Sequence, residues 1–461
     1  MPKIHVCDAI MGMGKTSAAI NYINSAPPDK KFIFLTPYLS ECDRIQEACP
    51  TKRFVQPEET RGSKLNDLRN HLFAGRNIAS THALLSRYTP DIVDLIRKQG
   101  YSLILDEVYE VAQNLFDKKC SRANLKILLR AGALSIDEQT GLLSQGEEFE
   151  DGYGSFGSIM EKITQGKVSV YGKEKSVVWL FPSDTLAAFD EIFILTFMFD
   201  AQPMRCYLDD IGLDYDYIGV CCSEDGFYNF ADWQTANRDE TDYSQLIHIL
   251  DREKLNRVGD EDNSLSSGWF DRDVENRNAK NIKQLLRNLI NIQQKVWHCP
   301  SKQFLWTVYT KAQPYMSERH VKKNFVPFNV RATNKYRDKT HLAYCVNLFK
   351  HPDVYNYFFS RGIKMNTDKW ALSEMLQWLW RSAIRDGKEI WVYVPSRRMR
   401  HLLEDWIAGK YRTPDDAPGG DLSTADEILY EEEPPEEIED EFFDDYDDED
   451  YDGLDDNNPA A

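Results

Sequence analysis

The feature that most narrows what this chain can become is the run Ala9-Ile-Met-Gly-Met-Gly-Lys-Thr16. It follows an apolar stretch, Ile4 to Cys7, and leads into an amphipathic one beginning near Lys15, the pattern of strand, loop and helix. Gly12 and Gly14 let the backbone curl so that successive N–H groups converge on phosphate oxygens at a helix N-terminus. Lys15 brings a compact positive charge for β- and γ-phosphates, and the Thr16 hydroxyl is a ligand for Mg2+. Met11, Gly12, Met13, Gly14, Lys15 and Thr16 are therefore the expected phosphate-binding residues, with ATP and Mg2+ as their ligands. The run departs from the P-loop consensus at one position, where Ala9 stands in place of the first glycine.

The alternation continues downstream: Phe32 to Leu35 and a helix from about Glu41, Ile78 to Ser80 and a helix, then Leu103 to Leu105. Such spacing predicts a parallel sheet with helices on both faces. The stretch Tyr101-Ser-Leu-Ile-Leu-Asp106-Glu107 ends a strand in two carboxylates. Asp106 is then expected at the sheet edge beside the P-loop, holding Mg2+ through water, with Glu107 polarising the attacking water. A further strand, Ile192 to Leu195, brings the first domain to 1–205. Between Glu110 and Phe193 lies an inserted region, with a glycine- and acid-rich loop around Gln139 to Gly157. A β-hairpin is expected there from Val168 to Tyr171 and Ser176 to Leu180, joined by Gly172-Lys-Glu-Lys175. A second alternating series, Phe304 to Tyr309, Val326 to Arg331, Leu342 to Leu348 and Ile390 to Val394, marks a second α/β domain at 206–410. Residues 209–301 are less readable.

Charge separates the remainder. The formal net charge is -20, yet from Tyr411 onward 22 Asp/Glu stand against one Arg. The body is thus almost neutral, which still allows a locally basic cleft. Residues 411–461 cannot bury a core at that charge density and are expected to be a disordered acidic tail. It serves solubility, or it recruits a basic protein partner through Phe442, Phe443, Tyr446 and Tyr451, or it occupies the protein's own nucleic-acid cleft. The 9 cysteines show no C-x-x-C pair and no histidines at zinc spacing, which predicts free thiols and no metal beyond nucleotide-bound Mg2+. A signal peptide and a long apolar span are both lacking, so a soluble, cytoplasmic protein without a membrane partner is expected, in the host cytoplasm for a viral protein.

The two sharp motifs together resemble superfamily 2 helicases of the DExx-box kind, and among them the helicase-like proteins of viruses and bacteriophages. The resemblance spans most of 1–410. Leu35-Thr36-Pro37 resembles motif Ia and Ser80-Thr81-His82 motif Ic, which implies nucleic-acid backbone contacts by Thr36, Pro37, Ser80, Thr81 and His82. Leu195 to Asp200 is similar to motif III, the element that couples nucleotide state to strand contact. Phe304 to Thr310 resembles motif IV. Val330-Arg-Ala-Thr333-Asn334 resembles motif V, implying nucleic-acid contacts by Thr333 and Asn334. Gln377-Trp-Leu-Trp-Arg381-Ser-Ala-Ile-Arg385 resembles motif VI. Its polar residues recur at i, i+4 and i+8, so one helix would show Gln377, Arg381 and Arg385 on one face. Against the P-loop, such a face sets an arginine on the γ-phosphate. The family usually spaces the last arginine three after the previous one and here it is four, so Arg381 is the expected finger ahead of Arg385. Arg397 to Arg400 and Lys335 to Arg337 are candidates for a nucleic-acid track. Trp378, Trp380 and Trp391 are candidates for base stacking, with core packing the commoner use.

The resemblance implies an α/β protein with two RecA-like parallel-sheet domains in tandem. It implies an ATP-dependent helicase or translocase acting on single-stranded or forked DNA, with RNA the second choice, in phage replication or recombination. Two other readings share the P-loop. A terminase-like packaging motor would add a nuclease domain with clustered carboxylates on strand ends, and none is evident in the sequence. An ATP-switched remodeller or scaffold would recruit partners through the tail.

Overall fold

The computed structural model describes residues 1–415 apart from 60–62, 116–120, 138–139, 147–156, 158, 165–166, 172–175, 276–278, 317–321 and 330–334. Motif V with Thr333 and Asn334, the hairpin's connecting turn and the aromatic acidic tail lie outside the described residues.

Short buried runs rich in β-branched and aromatic residues form the strands. In chain order they are β1 (Lys3–Asp8), β2 (Lys31–Thr36), β3 (Ile78–Thr81), β4 (Tyr101–Asp106), β5 (Ala112–Asn114), β6 (Leu134–Ile136), β7 (Leu143–Gln145), β8 (Val168–Tyr171), β9 (Ser176–Leu180) and β10 (Glu191–Thr196). They continue as β11 (Tyr215–Cys222), β12 (Tyr228–Asp232), β13 (Ile247–Ile249), β14 (Phe304–Thr307), β15 (His341–Tyr344) and β16 (Ile390–Tyr393).

Seven strands form the first sheet in the order β12-β11-β1-β10-β4-β2-β3. It is parallel except at the edge, where β12 runs antiparallel to β11. Helices cover both faces, so central strands such as β4 read as near-continuous apolar runs. The loops after β1 and β4 open at the same sheet edge with only β10 between them, and the strand order reverses beside β1, the place where ligands bind in open α/β sheets. A second parallel sheet has the order β13-β16-β15-β14. The fold is α/β with two RecA-like parallel sheets.

The hairpin of β8 and β9 forms as the sequence predicts, and β5 joins it in a three-stranded sheet. Three readings change. The first sheet runs on to Asp232, past residue 205, because β11 and β12 complete its edge. Among the described residues no strand forms from Val326. There, Phe325 makes one bridge to Trp306, and Val326 N donates to Trp306 O at 3.0 Å. Finally, helix Pro352–Phe359 leaves the second sheet and buries Val354, Tyr357 and Phe358 in the first lobe's core. Arg361 there pairs with Asp210 at 3.1 Å.

Helix Thr367–Leu379 positions the second lobe. Asn366 caps it by accepting from Lys369 N. It buries Ala371, Leu372, Met375, Leu376, Trp378 and Leu379, each large side chain stabilising the fold by about 1.5–3 kcal/mol relative to exposure. The cluster around it also takes in Ile10, Phe197 and Met198 of the first lobe, so one core joins the P-loop to the second sheet. Among the described residues no helix is long and apolar enough to cross a membrane.

Candidate nucleotide cleft

Helix Lys15–Ser25 starts from Gly14, whose φ of 86° puts it in the left-handed region, and no side chain caps it. Its first-turn N–H groups are thus left to a ligand, as an anion site requires. Gly12, with φ 97°, makes the second bend. Lys15 Nζ folds back over this loop and donates to the carbonyls of Ala9 and Ile10. Crowding by protein lowers its proton affinity, against the nearby charges of Glu107, Asp8 and Asp106.

Thr16 Oγ1 donates to Asp106 Oδ1 at 3.3 Å, which brings the P-loop and the carboxylate strand together. Burial pushes the Asp106 carboxyl up to about 7, with Glu107 and Glu41 adding to the effect. A hydroxyl and an undercompensated carboxylate are hard oxygen donors, and they fit Mg2+ that takes its other ligands from phosphate and water. Among the described residues no group of three or more His, Cys, Asp or Glu is placed to hold a metal, so these two would depend on the nucleotide to complete the shell. Glu107 has a φ of 70°, rare for a side chain of its size, and its N–H donates to Leu195 O at 2.9 Å. The β10 backbone thus holds the second carboxylate in a strained conformation.

Asp8 is buried at the end of β1 and accepts from Met198 N at 2.9 Å and Phe199 N at 2.8 Å. It fixes the motif III turn, where Met198 takes φ 53°. Asp200, in the same turn, is buried and paired with the buried Lys369 of helix Thr367–Leu379. Burial pushes Asp200 up to about 6, opposed by the Lys369 charge. Gln202 Nε2 donates to Ser373 Oγ of the same helix at 3.0 Å. Neither Asp8, Lys369 nor Glu41 carries a local sequence signal. Asp8 and Lys369 take partners far along the chain, while Glu41 pairs with Arg44 at 2.9 Å.

The motif VI residues do not share a helix face. The helix ends at Leu379, and Ala383 N is drawn to Lys339 O at 2.9 Å, so Arg385 sits in a separate turn, Ala383–Asp386. Arg381 is buried and donates to Phe328 O at 3.4 Å, inside the second lobe. Arg385 is exposed. Surrounding protein and Arg337 lower its proton affinity, while Asp386, Glu107 and Glu41 act against them, so it lies within Coulombic reach of the Glu107 carboxylate. Gln377 is half-buried. Arg381 is thus held inside the second lobe, and Arg385 is the more exposed of the two.

Thr36 and Thr81 face each other in the β2–β3 register, with Leu35 opposite Ser80, so the motif Ia and Ic segments lie side by side. The Thr36 and Ser80 side chains are buried, Pro37, Thr81 and His82 half-buried, and the His82 ring meets Tyr109 edge-on. Arg397 pairs with Asp262, Arg398 with Asp368, and Arg400 bonds the Val394 and Pro395 carbonyls. These contacts hold helix Arg397–Ile407 in place. Trp378 and Trp380 are core, and Trp391 stacks on His341.

The family described as the YonV C-terminal Rossmann-like domain matches residues 241–407. The SPbeta prophage-derived protein YonV of Bacillus subtilis (strain 168) is 35% identical over 417 residues, covering 88% of this chain and 99% of the relative. Among solved structures, one named XPD_Helicase has 12% identity and a TM-score of 0.47, covering 87% of this chain and 94% of that one. Xpd4 of S. tokodaii has 12% identity and a TM-score of 0.44, covering 90% and 95%.

Proposed function

The chain belongs to the YonV family, and from that premise and the cleft's geometry we propose that it is an ATP-driven helicase or translocase acting on nucleic acid, DNA before RNA. The observation that carries the reading is Thr16 of the P-loop beside Asp106 at one sheet edge, with Glu107 next to them and within Coulombic range of Arg385. The prophage origin of the Bacillus subtilis relative supports a role in phage replication or recombination. We assign two lobes, the first carrying the P-loop and the second supplying the arginine, followed in the sequence by an acidic C-terminal tail.

In this reading Lys15 leaves the Ala9 and Ile10 carbonyls for the β- and γ-phosphates, and the uncapped amides after Gly14 hold the remaining oxygens. Mg2+, when bound at Thr16 and Asp106, neutralises phosphate charge. Glu107 orients the attacking water and takes its proton, and Arg385 stabilises the charge that develops as the phosphoryl group leaves. Asp8 links the β1 end to the motif III turn, and the Asp200–Lys369 and Gln202–Ser373 pairs link that turn to the helix before the arginine turn. Closure around nucleotide is in this way transmitted between the lobes.

The test is ATP turnover alone and with single-stranded DNA, duplex DNA and RNA. Stimulation by single-stranded DNA is expected. Turnover indifferent to every nucleic acid would reject the motor and leave an ATP switch that recruits partners.

A further inference from the structure

The β11–β12 hairpin stands beside the P-loop and has no part in the reading above. Its register makes it overhang. β11 pairs with β1 from Ile4↔Tyr215 to Cys7↔Ile218, and then continues to Cys222, opposite Tyr228. β1 runs parallel to β11 and gives way to the P-loop just past Asp8, so the far end of the hairpin rises along the flank of that loop. There the Tyr228 ring lies on Gly14. A Cβ at Gly14 would come within 2.2 Å of its Cδ1 and 2.5 Å of its Cε1. Only glycine at position 14 admits this ring, which adds a packing demand to the loop's need for a positive φ.

The hairpin is held in place from both sides. Asn21, on the helix that follows the P-loop, donates to Asn229 Oδ1 at 2.6 Å and to Tyr228 O at 3.4 Å. The tip is closed by Ser223 N to Phe227 O at 2.9 Å and Phe227 N to Ser223 Oγ at 3.2 Å. Tyr228 is half-buried, and Phe227 at the tip is 62% exposed. A fixed, partly open aromatic ring therefore adjoins the loop that takes the phosphates, on the opposite side of β1 from Asp106 and Glu107. With the terminal phosphate met by Thr16, Asp106 and Glu107 as proposed above, the nucleoside end of the ligand would lie on the Tyr228 side.

The geometry points to Tyr228 as the platform on which the base of the nucleoside triphosphate stacks, with the hairpin Tyr215–Asp232 as the wall of the base subsite. This inference rests on the nucleotide-site reading above. Stacking on an aromatic face tolerates any base, so the platform sets affinity for a nucleoside over bare phosphate rather than choice among bases.

Tyr228→Leu keeps an apolar side chain on Gly14 and removes the aromatic face, while Tyr228→Phe keeps the face. Equilibrium binding of ATP and of inorganic tripolyphosphate, each with Mg2+, reads the difference. The expected result is about a tenfold loss of ATP affinity in Tyr228→Leu, unchanged tripolyphosphate affinity, and near wild-type binding of both in Tyr228→Phe. Unchanged ATP affinity in Tyr228→Leu would overturn the assignment. So would an equal loss for both ligands, which would make the ring a support for the P-loop alone. A wild-type protein that binds tripolyphosphate and ATP equally well removes the base subsite but leaves the phosphate site, whereas one that binds neither removes both.

Discussion

Lys369 and Asp200, 169 residues apart in the chain, form an ion pair between helix Thr367–Leu379 and the motif III turn, with side chains 1% and 5% exposed. A buried pair of this kind adds little over an apolar contact of the same shape, but losing Lys369 strands the Asp200 charge, whereas Lys369 itself also pairs with Asp415 at 3.1 Å. Lys369→Met should therefore cost about 3–5 kcal/mol, and the double variant Lys369→Met, Asp200→Leu should recover much of that loss. Denaturant unfolding of the two single variants and the double variant checks this, and additive losses would show that the residues do not act as a pair.

The strain at Glu107 makes a second prediction. Glycine adopts φ 70° freely, whereas a residue with a Cβ loses about 1–2 kcal/mol there. Glu107→Gly should be more stable than Glu107→Ala by about 1 kcal/mol, although both lose the carboxylate. Thermal unfolding of the two orders them, and an Ala variant at least as stable as the Gly variant contradicts the strain.

The two cleft residues should fail in different ways. Lys15→Ala removes phosphate charge and should lose ATP binding and turnover together. Glu107→Gln keeps the phosphate contacts, so ATP should bind within a few-fold of wild type while turnover falls by about 10²- to 10⁴-fold. Binding isotherms beside steady-state rates separate these outcomes.

The opposite edge of the first sheet predicts acid sensitivity. Glu191 at the start of β10 accepts from Lys30 at 2.6 Å and Tyr22 at 2.8 Å and faces His5 at 3.5 Å. Burial opposes its charge, yet these partners hold the carboxyl down to about 2. A depressed carboxyl contributes stability above its unfolded value of 4.5 and loses it as the pH falls toward about 2, a contribution of up to about 3 kcal/mol. Glu191→Gln should be less stable than wild type at pH 7, with the gap closing through that window. Urea midpoints across pH measure it, and a constant gap contradicts the assignment.

The legible parts of the chain are those whose partners are near in sequence. The strand, glycine loop and helix around Lys15 declare themselves within a dozen residues, and the apolar run before Asp106 needs nothing beyond its own burial. The reading weakens where distant contacts decide. Leu379 ends its helix because the next turn is tied to Lys339, which no periodicity in Gln377 to Arg385 reveals. Likewise Tyr215–Cys222 becomes a strand of the first sheet only because β1 has an open edge to accept it. Arg397 to Arg400 looks like an exposed basic patch until Asp262, Asp368 and the Val394 carbonyl are brought to it.

In the proposed mechanism ATP is hydrolysed between two lobes, with Arg385 as the group that crosses. Single-turnover hydrolysis of saturating ATP by Arg385→Ala is its most direct test. The rate constant should fall by about 10²- to 10³-fold, with ATP affinity within a few-fold of wild type. Hydrolysis at the wild-type rate in that variant would contradict it.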